Sequence, residues 1–281
     1  MVMPEIFTRL LDQLVLQDRK AGGLAIACSG GLDSRFLTHA ACLSGVHPAL
    51  YHVTGPHVSA RETAACVAWA QGRGLTLHVV TCDPLCLPEV LANTPDRCYA
   101  CKRALFSRLY REVGNACLCD GSNASDLKLY RPGLRALREL DISSPLAEAG
   151  LDKDTIRTLA HQTGLENPDQ PSRPCLLTRL AYGVSPTPNL LAALDACEVT
   201  LETLLHELFP NVVTPEYRVR HLLDGTQLVQ LKTTLTTAQR HHLTAGLSAY
   251  GDLRIVDGQD VSGYFDRNVR CDRDARCETT S

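Results

Sequence analysis

A chain of 281 residues, 44% hydrophobic and 21% charged, is long enough for two unequal globular domains with an ordinary core. A net charge of −3 gives no sign of a nucleic-acid coat or of an anionic membrane surface, and no stretch nears the roughly 18 apolar residues of a spanning helix. The thirteen cysteines are an odd set. Residues Met1 to Lys20 read as an amphipathic helix and not as a signal peptide, so a reducing cytoplasm is expected. Most of the thiols, among them Cys28, Cys42, Cys66 and Cys197, then read as small buried hydrophobes.

The first half alternates short apolar runs with helical patterns. Strands are predicted at Gly23 to Cys28, Ala49 to Val53, Leu75 to Thr81 and Ala116 to Asp120. Between them lie helices at Ser34 to Leu43, Arg61 to Gln71 and Cys101 to Val113. This alternation implies a parallel sheet covered on both faces. Asp152 caps a predicted helix from Lys153 to Thr163 that Gly164 stops. A Pro- and Ser-rich stretch, Pro168 to Pro174, follows, and Gly183 to Pro188 reads as a linker.

Beyond the linker the pattern changes. A long helix is predicted from Leu190 to Phe209, then a hairpin of Tyr217 to Leu222 and Thr226 to Leu231 about Asp224-Gly225. A helix near Ala238 to Leu247 and a strand near Leu253 to Val256 complete a small α+β domain. The expected division is therefore 1–184, 185–266 and a disordered tail, 267–281, whose Cys271 and Cys277 read as incidental.

The most informative segment is Ser29-Gly30-Gly31-Leu32-Asp33-Ser34, between a strand and a helix. Backbone N–H groups at such a junction bind anionic oxygens, and the glycines let the chain approach phosphate closely. Ser29 and Ser34 add hydroxyl donors, and Asp33 is placed to hold Mg²⁺ on a pyrophosphate. The segment matches neither the Walker A nor the dinucleotide fingerprint. It resembles the PP-loop of the adenine-nucleotide α-hydrolase superfamily, whose members split ATP between its α- and β-phosphates and have a Rossmann-like α/β fold.

Cys98 and Cys101 form a CxxC, and Cys175 stands alone in the proline-rich loop. By spacing alone the three suit an iron–sulfur cluster, part of a Cys₄ zinc site completed by Cys82, Cys86 or another thiol, a redox pair, or unrelated thiols. Between them lie Asp120-Gly121-Ser122-Asn123-Ala124-Ser125-Asp126, Tyr130-Arg131-Pro132-Gly133 and Ser144-Pro145-Leu146-Ala147-Glu148-Ala149-Gly150.

In this order the motifs resemble the LarE family, ATP-dependent sulfur transferases that help build the nickel-pincer nucleotide cofactor of lactate racemase. The resemblance runs from about Ala21 to Gly183 and more weakly to Tyr264. It implies a [4Fe–4S] cluster on Cys98, Cys101 and Cys175, with one iron left to carry sulfide. It further implies ATP and Mg²⁺ at Ser29, Gly30, Gly31, Asp33, Ser34, Thr54, Gly121 and Asp126, with Lys102 and Arg179 near the phosphates. Arg218 and Arg220 alternate on a strand and match a family RVR that gathers phosphate at a subunit interface, so a homo-oligomer and a nucleotide-like small-molecule substrate are implied. Nucleic acid and membrane are not.

Ser125 stands where the family has a first carboxylate, and His221-Leu222-Leu223, Gln230 and Phe265-Asp266 depart from its C-terminal pattern. Glu202 is the candidate match for a family carboxylate. Rival readings are a tRNA thiolase with a similar cluster, an amide-forming ligase of the NAD or GMP synthetase kind, and a zinc-stabilised binding module.

Overall fold

A computed structural model describes residues 4–128, 131–210 and 215–266. The tail 267–281, with Cys271 and Cys277, and Tyr130 lie outside the described residues. Two compact units emerge, Met1–Leu87 with Cys98–Arg173 and Pro88–Arg97 with Pro174–Ser281. The second unit thus starts at Pro174, ahead of the boundary expected after 184, and takes in the segment 88–97.

The first unit opens with α1 (Glu5–Ala21), β1 (Leu24–Ala27), α2 (Leu32–Leu43), β2 (Ala49–Thr54), α3 (Ala60–Gly72) and β3 (Leu77–Thr81). After α4 (Pro88–Leu91), which belongs to the second unit, come α5 (Arg97–Glu112) and β4 (Cys117–Cys119). Three short helices, α6 (Ala124–Leu127), α7 (Pro132–Glu139) and α8 (Pro145–Glu148), lead to α9 (Lys153–Thr163). The four strands form one parallel sheet in the order β3-β2-β1-β4, so β1 is central, pairing Ala25 with Ala49 on one side and Leu118 on the other.

Side chains alternate across a strand, and β1 uses this fully. Leu24 and Ile26 enter a core with Phe7, Leu10, Leu14, Phe36, Leu37, Ile156 and Leu159 from α1, α2 and α9. Ala25 faces the opposite core, where Phe106, Leu109, Leu118 and Leu137 gather from α5, β4 and α7. The sheet is covered on both faces, as the apolar runs imply.

Two differences from the sequence expectation matter. Helix α5 begins at Arg97, four residues before the expected start, so both cysteines of the CxxC are helical. Helices α7 and α8 were not expected; each opens with proline at its first turn, where a missing N–H costs nothing.

In the second unit, α10 (Pro188–Leu208) is capped by Thr187, whose hydroxyl accepts from Leu190 N at 3.2 Å. It buries Leu191, Leu194, Cys197, Glu198, Leu201 and Leu205. Strands β5 (Tyr217–His221) and β6 (Gln227–Leu231) form the expected antiparallel hairpin. At its turn Gly225 adopts φ +86°, and the Asp224 carboxylate accepts from Thr226 N. Helix α11 (Thr237–Gly246) then returns the chain to β7 (Leu253–Val256), parallel to β6. Among the described residues no helix is long and apolar enough to cross a membrane.

Phe36 is fully buried, with its ring 5.9 Å from that of Phe7. Phe36→Ala should therefore cost about 3–5 kcal/mol in urea-induced unfolding; a loss below about 1 kcal/mol would show that α1 and α2 do not pack as described.

Candidate active site

All four strands of the parallel sheet end at one edge, where Ser29, Thr54 and Gly121 follow β1, end β2 and follow β4. Open α/β sheets bind ligands at this edge. Gly30 has φ +78°, and a Cβ there would lie 3.1 Å from the Cβ of Cys66. Gly31 is the N-cap of α2, and its N–H donates to Ser29 Oγ at 3.3 Å. Ser34 Oγ donates to the Gly31 carbonyl at 3.1 Å and lies 3.3 Å from Ser29 Oγ. The two serines and two glycines thus close one small loop over the start of the helix. Thr54 Oγ1 lies 3.3 Å from Thr63 Oγ1 on α3.

Gly121 carries the chain after β4 against that same helix start. A Cβ on it would stand 3.0 Å from Ser34 N and 3.3 Å from the Asp33 carbonyl carbon. Asn123 then reaches Asp33, its Nδ2 donating to Oδ2 at 3.1 Å. Asn123 also caps α6 in a box with Asp126, whose carboxylate meets Arg131 at 3.0 Å and Lys153 at 3.7 Å. Burial raises the Asp33 carboxyl above the usual carboxylate range; Lys153 opposes this, Asp126 adds to it, and Asn123 and Arg131 oppose it again.

Lys102, on α5, points its ammonium at buried Asp120, 3.8 Å away. Asp120 also accepts from Ser122 Oγ and Ser144 Oγ. The lysine stem lies across Gly133, where a Cβ would be 2.7 Å from Lys102 Cδ. That accounts for the glycine after Pro132.

Cys98 and Cys101 sit three residues apart near the start of α5, hence on one face of the helix. Cys175 is the N-cap of a 3-10 turn, Leu176–Arg179, in the second unit, and its carbonyl accepts from Thr178 Oγ1 at 2.8 Å. Among the described residues, no three His, Cys, Asp or Glu side chains are grouped so as to hold a metal ion. The three thiols are the donor type an iron–sulfur cluster takes, Cys98 and Cys101 in the first unit and Cys175 in the second.

Arg179 sits otherwise than a phosphate-facing cation would. It is 2% exposed, and its Nε and Nη2 meet Glu198 Oε1 and Oε2 at 2.7 and 3.0 Å. Its Nη1 donates to the Pro174 carbonyl at 3.2 Å and to Thr178 Oγ1 at 3.0 Å. The guanidinium therefore brackets Cys175 from both sides and has its donors occupied. The sequence reading missed Glu198 and pointed to Glu202. Its signal was present, since Glu198 lies on the apolar face of α10 between Leu194 and Leu201, where an acid needs a buried partner.

Arg218 and Arg220 share one face of β5, as their alternation requires, and both are buried. Arg220 Nη1 donates to the Thr178 carbonyl at 3.1 Å, and its guanidinium also meets Gln230 and the Val261 carbonyl. The rings of Tyr264 and Phe265 lie 5.1 and 5.2 Å from it. Burial, then the charge of Arg179, pushes Arg218 down to about 10 and Arg220 down to about 9. Gln230, a departure from the family pattern, is thus a neutral acceptor for Arg220.

The sheet, its ligand edge and the loop of glycines and serines define a Rossmann-like α/β protein. No family model matches the chain. It is 28% identical to an uncharacterized protein of Synechocystis, over 80% of its own length and 88% of that protein's. It is 31% identical to an uncharacterized protein of Methanocaldococcus jannaschii, over 70% and 73% of the two chains. It is also 28% identical to the pyridinium-3,5-bisthiocarboxylic acid mononucleotide synthase of Lactiplantibacillus plantarum, over 71% and 77%. The chain belongs to the same family as the Methanocaldococcus jannaschii protein, and its likeness to the synthase is in line with the LarE resemblance of its motifs.

Burial pushes the Glu198 carboxyl up, but the Arg179 charge and hydrogen bonds and the Val219 N–H outweigh it and hold the group below the usual range. A depressed carboxylate stabilises the fold at pH above its unfolded pKa of about 4.3, and loses that contribution as pH falls through the folded value. Arg179→Met should cost about 3–5 kcal/mol at neutral pH, because the buried Glu198 carboxylate loses its bidentate cation. Arg179→Met with Glu198→Leu should recover most of the loss, and its stability should fall less steeply than that of wild type below about pH 4.3. Urea titrations from neutral to acid pH measure both.

Proposed function

We propose that this protein is an ATP-dependent sulfur transferase that adenylates a substrate carboxylate and replaces one of its oxygens with sulfur. The phosphate loop carries the reading: glycines, serine hydroxyls and the α2 N-terminus meet at the ligand edge of a parallel sheet, with Asp33 beside them. The likeness to the bisthiocarboxylic acid mononucleotide synthase supports the sulfur chemistry and suggests pyridinium-3,5-biscarboxylic acid mononucleotide as substrate.

ATP binds with its phosphates on the loop N–H groups and on Ser29 and Ser34. Mg²⁺ would be held by Asp33 and would neutralise phosphate charge. A substrate carboxylate oxygen attacks the α-phosphorus, and the bond to the β-phosphate oxygen breaks, its electron pair leaving with pyrophosphate. Lys102 offsets the charge that builds on the α-phosphate. Sulfide then attacks the acyl carbon, and AMP departs with the electron pair of the C–O bond. The product is a thiocarboxylate.

The thiolates of Cys98, Cys101 and Cys175 would hold a [4Fe–4S] cluster, whose unligated iron supplies a place to carry sulfide. Donor type and the family resemblance support this assignment. The Arg179 bracket gives Cys175 a defined position within its own unit. Arg218 and Arg220, two buried cations beside Arg179 whose nearby carboxylates are Glu198 and, 3.8 Å from Arg218, Glu216, suit the phosphate of the substrate.

Pyrophosphate release and thiocarboxylate formation test the two halves separately. Asp33→Asn should lower pyrophosphate release by about a hundredfold or more. Cys175→Ala, purified without oxygen, should still release pyrophosphate but lose thiocarboxylate and the iron–sulfur absorbance. Stoichiometric zinc, or ammonia replacing sulfide as the acceptor, would sink the sulfur-transfer reading.

Asp33 has to be ionised to bind a cation, and its carboxyl is raised by burial and then by Asp126. The acid limb of pyrophosphate release should therefore lie above the ordinary aspartate range of about 3.9. Asp126→Asn removes one raising charge and should move that limb to lower pH. An unmoved limb in a pH–rate profile would show that Asp33 does not set it.

A further inference from the structure

Cys28 and Cys66 are buried thiols that the reaction above does not use, and they meet beside the phosphate loop. Cys28 follows β1, immediately before Ser29, and Cys66 lies on α3. Their sulfurs are 3.6 Å apart, and the Cys66 thiol also points at the Cys28 carbonyl, 3.7 Å away. Cys117 and Cys119 come within 3.9 Å as well, but they stand two apart on one strand, where a link would join no separate elements. Cys28 and Cys66 are 38 positions apart, so a bond between them ties a helix to the phosphate loop.

Both thiols touch that loop. Cys28 Sγ lies 3.9 Å from Ser34 Oγ and accepts a hydrogen bond from the Gly30 backbone. Cys66 packs where a Gly30 side chain would go: a Cβ there would be 3.1 Å from Cys66 Cβ and 3.6 Å from its Sγ. Three residues before Cys66, Thr63 Oγ1 meets His52 Nε2 at 3.0 Å and Thr54 Oγ1 at 3.3 Å. Cys28 itself is fixed, since its N–H donates to the Tyr51 carbonyl at 2.8 Å. Packing this close gives α3 little slack against the loop.

The surroundings divide the pair into an attacking thiolate and a proton-bearing partner. The hydrogen bond from Cys66 lowers the Cys28 thiol; burial opposes it, and Gly30, Ser34 and the Arg35 charge lower it further. The same hydrogen bond, and then burial, push the Cys66 thiol up. Hydrogen peroxide, little larger than water, is an oxidant of the size such a pair admits. The Cys28 thiolate attacks one peroxide oxygen, the O–O bond breaks, and a sulfenic acid forms; the departing hydroxide takes a proton and becomes water. The Cys66 sulfur then attacks the Cys28 sulfur, and the S–O bond breaks. Its hydroxide leaves with the Cys66 proton as a second water. Two thiols have lost two electrons and two protons, and one peroxide has become two waters.

We propose that Cys28 and Cys66 are a redox modification site: peroxide joins them as a disulfide, which displaces α3 against the phosphate loop and stops ATP from binding. The bond draws the sulfurs from 3.6 Å to about 2.05 Å. With Cys28 held at the sheet, Cys66 has to move, and Gly30, Thr63 and Thr54 are the groups it disturbs. The inference rests on the ATP-splitting reading. Within it, the link keeps ATP from being split while an oxidant is present to consume the sulfide.

Full-length protein treated with hydrogen peroxide, then blocked at its free thiols and digested, shows the linkage by mass spectrometry. Calorimetric titration with α,β-methylene-ATP and Mg²⁺ follows binding before oxidation, after it, and after dithiothreitol. A peptide joined through Cys28 and Cys66 is expected, with affinity falling about tenfold or more and returning on reduction. Cys66→Ala and Cys28→Ala should each change by less than about twofold between their untreated and oxidised forms. Absence of the joined peptide overturns the inference, as does joined protein that binds the analogue like the reduced form. A loss on oxidation that the alanine variants share overturns it too, because other thiols then cause it. Reduced wild-type protein that does not bind the analogue overturns the ATP-splitting reading and the control of ATP with it, while the joined peptide still decides whether the pair oxidises.

Discussion

Between Gly121 and the amide of Ser34 there is room for a hydrogen atom and little more, since a Cβ would stand 3.0 Å from that nitrogen. This close approach of the chain after β4 to the first turn of α2 organises the rest of the first unit. It brings Asn123 within reach of Asp33 and so places the α6 capping box at the phosphate loop. Through Asp126 it sets where Arg131 and Lys153 stand, and with them the starts of α7 and α9. The parallel sheet makes the approach available, because β1 and β4 are neighbours and finish at the same edge. A side chain at 121 would push the two apart and dissolve the arrangement at its root.

The second unit depends on a different kind of constraint. Taking Arg179 and Glu198 out of water costs several kcal/mol per ion, and a buried pair recovers this only when its geometry is good and its remaining donors are met. Here both guanidinium edges are satisfied, two donors by carboxylate oxygens and others by the Pro174 carbonyl and Thr178. Such a pair adds little to stability over an apolar replacement. What it specifies is conformation, because the carbonyl and the hydroxyl it grips lie on either side of Cys175.

Much of this was readable in the residues, and the rest was hidden for identifiable reasons. Strand–loop–helix periodicity located β1, the phosphate loop and α2 within a residue or two, because a fully buried strand and a Gly-Ser junction are local signals. Asp224-Gly225 announced its hairpin for the same reason. The start of α5 was set too late because Arg97 and Cys98 are ordinary helix formers with no cap to mark them. The helices that Pro132 and Pro145 open are too short to show an apolar period and were not predicted. Arg179 was read as a cation for phosphate from the family resemblance; its partner lies nineteen positions away on α10, and periodicity cannot say which buried acid meets which buried base. Arg131 and Lys153 escaped for the same reason: only the folded chain shows that both answer to Asp126.

The sheet order also decides when the site can exist. Leu24 of β1 pairs with Cys117 of β4, 93 positions further on, although β2 and β3 come between them in the chain. Contacts this distant along the chain carry a loop-closure cost before they return anything, and they form late. During synthesis the serines and glycines of the loop emerge early, but Gly121, which packs on the start of α2, is made 87 positions after Ser34. A growing chain therefore carries the loop through that interval without the segment that packs against it. The candidate site arrives only with the completed sheet.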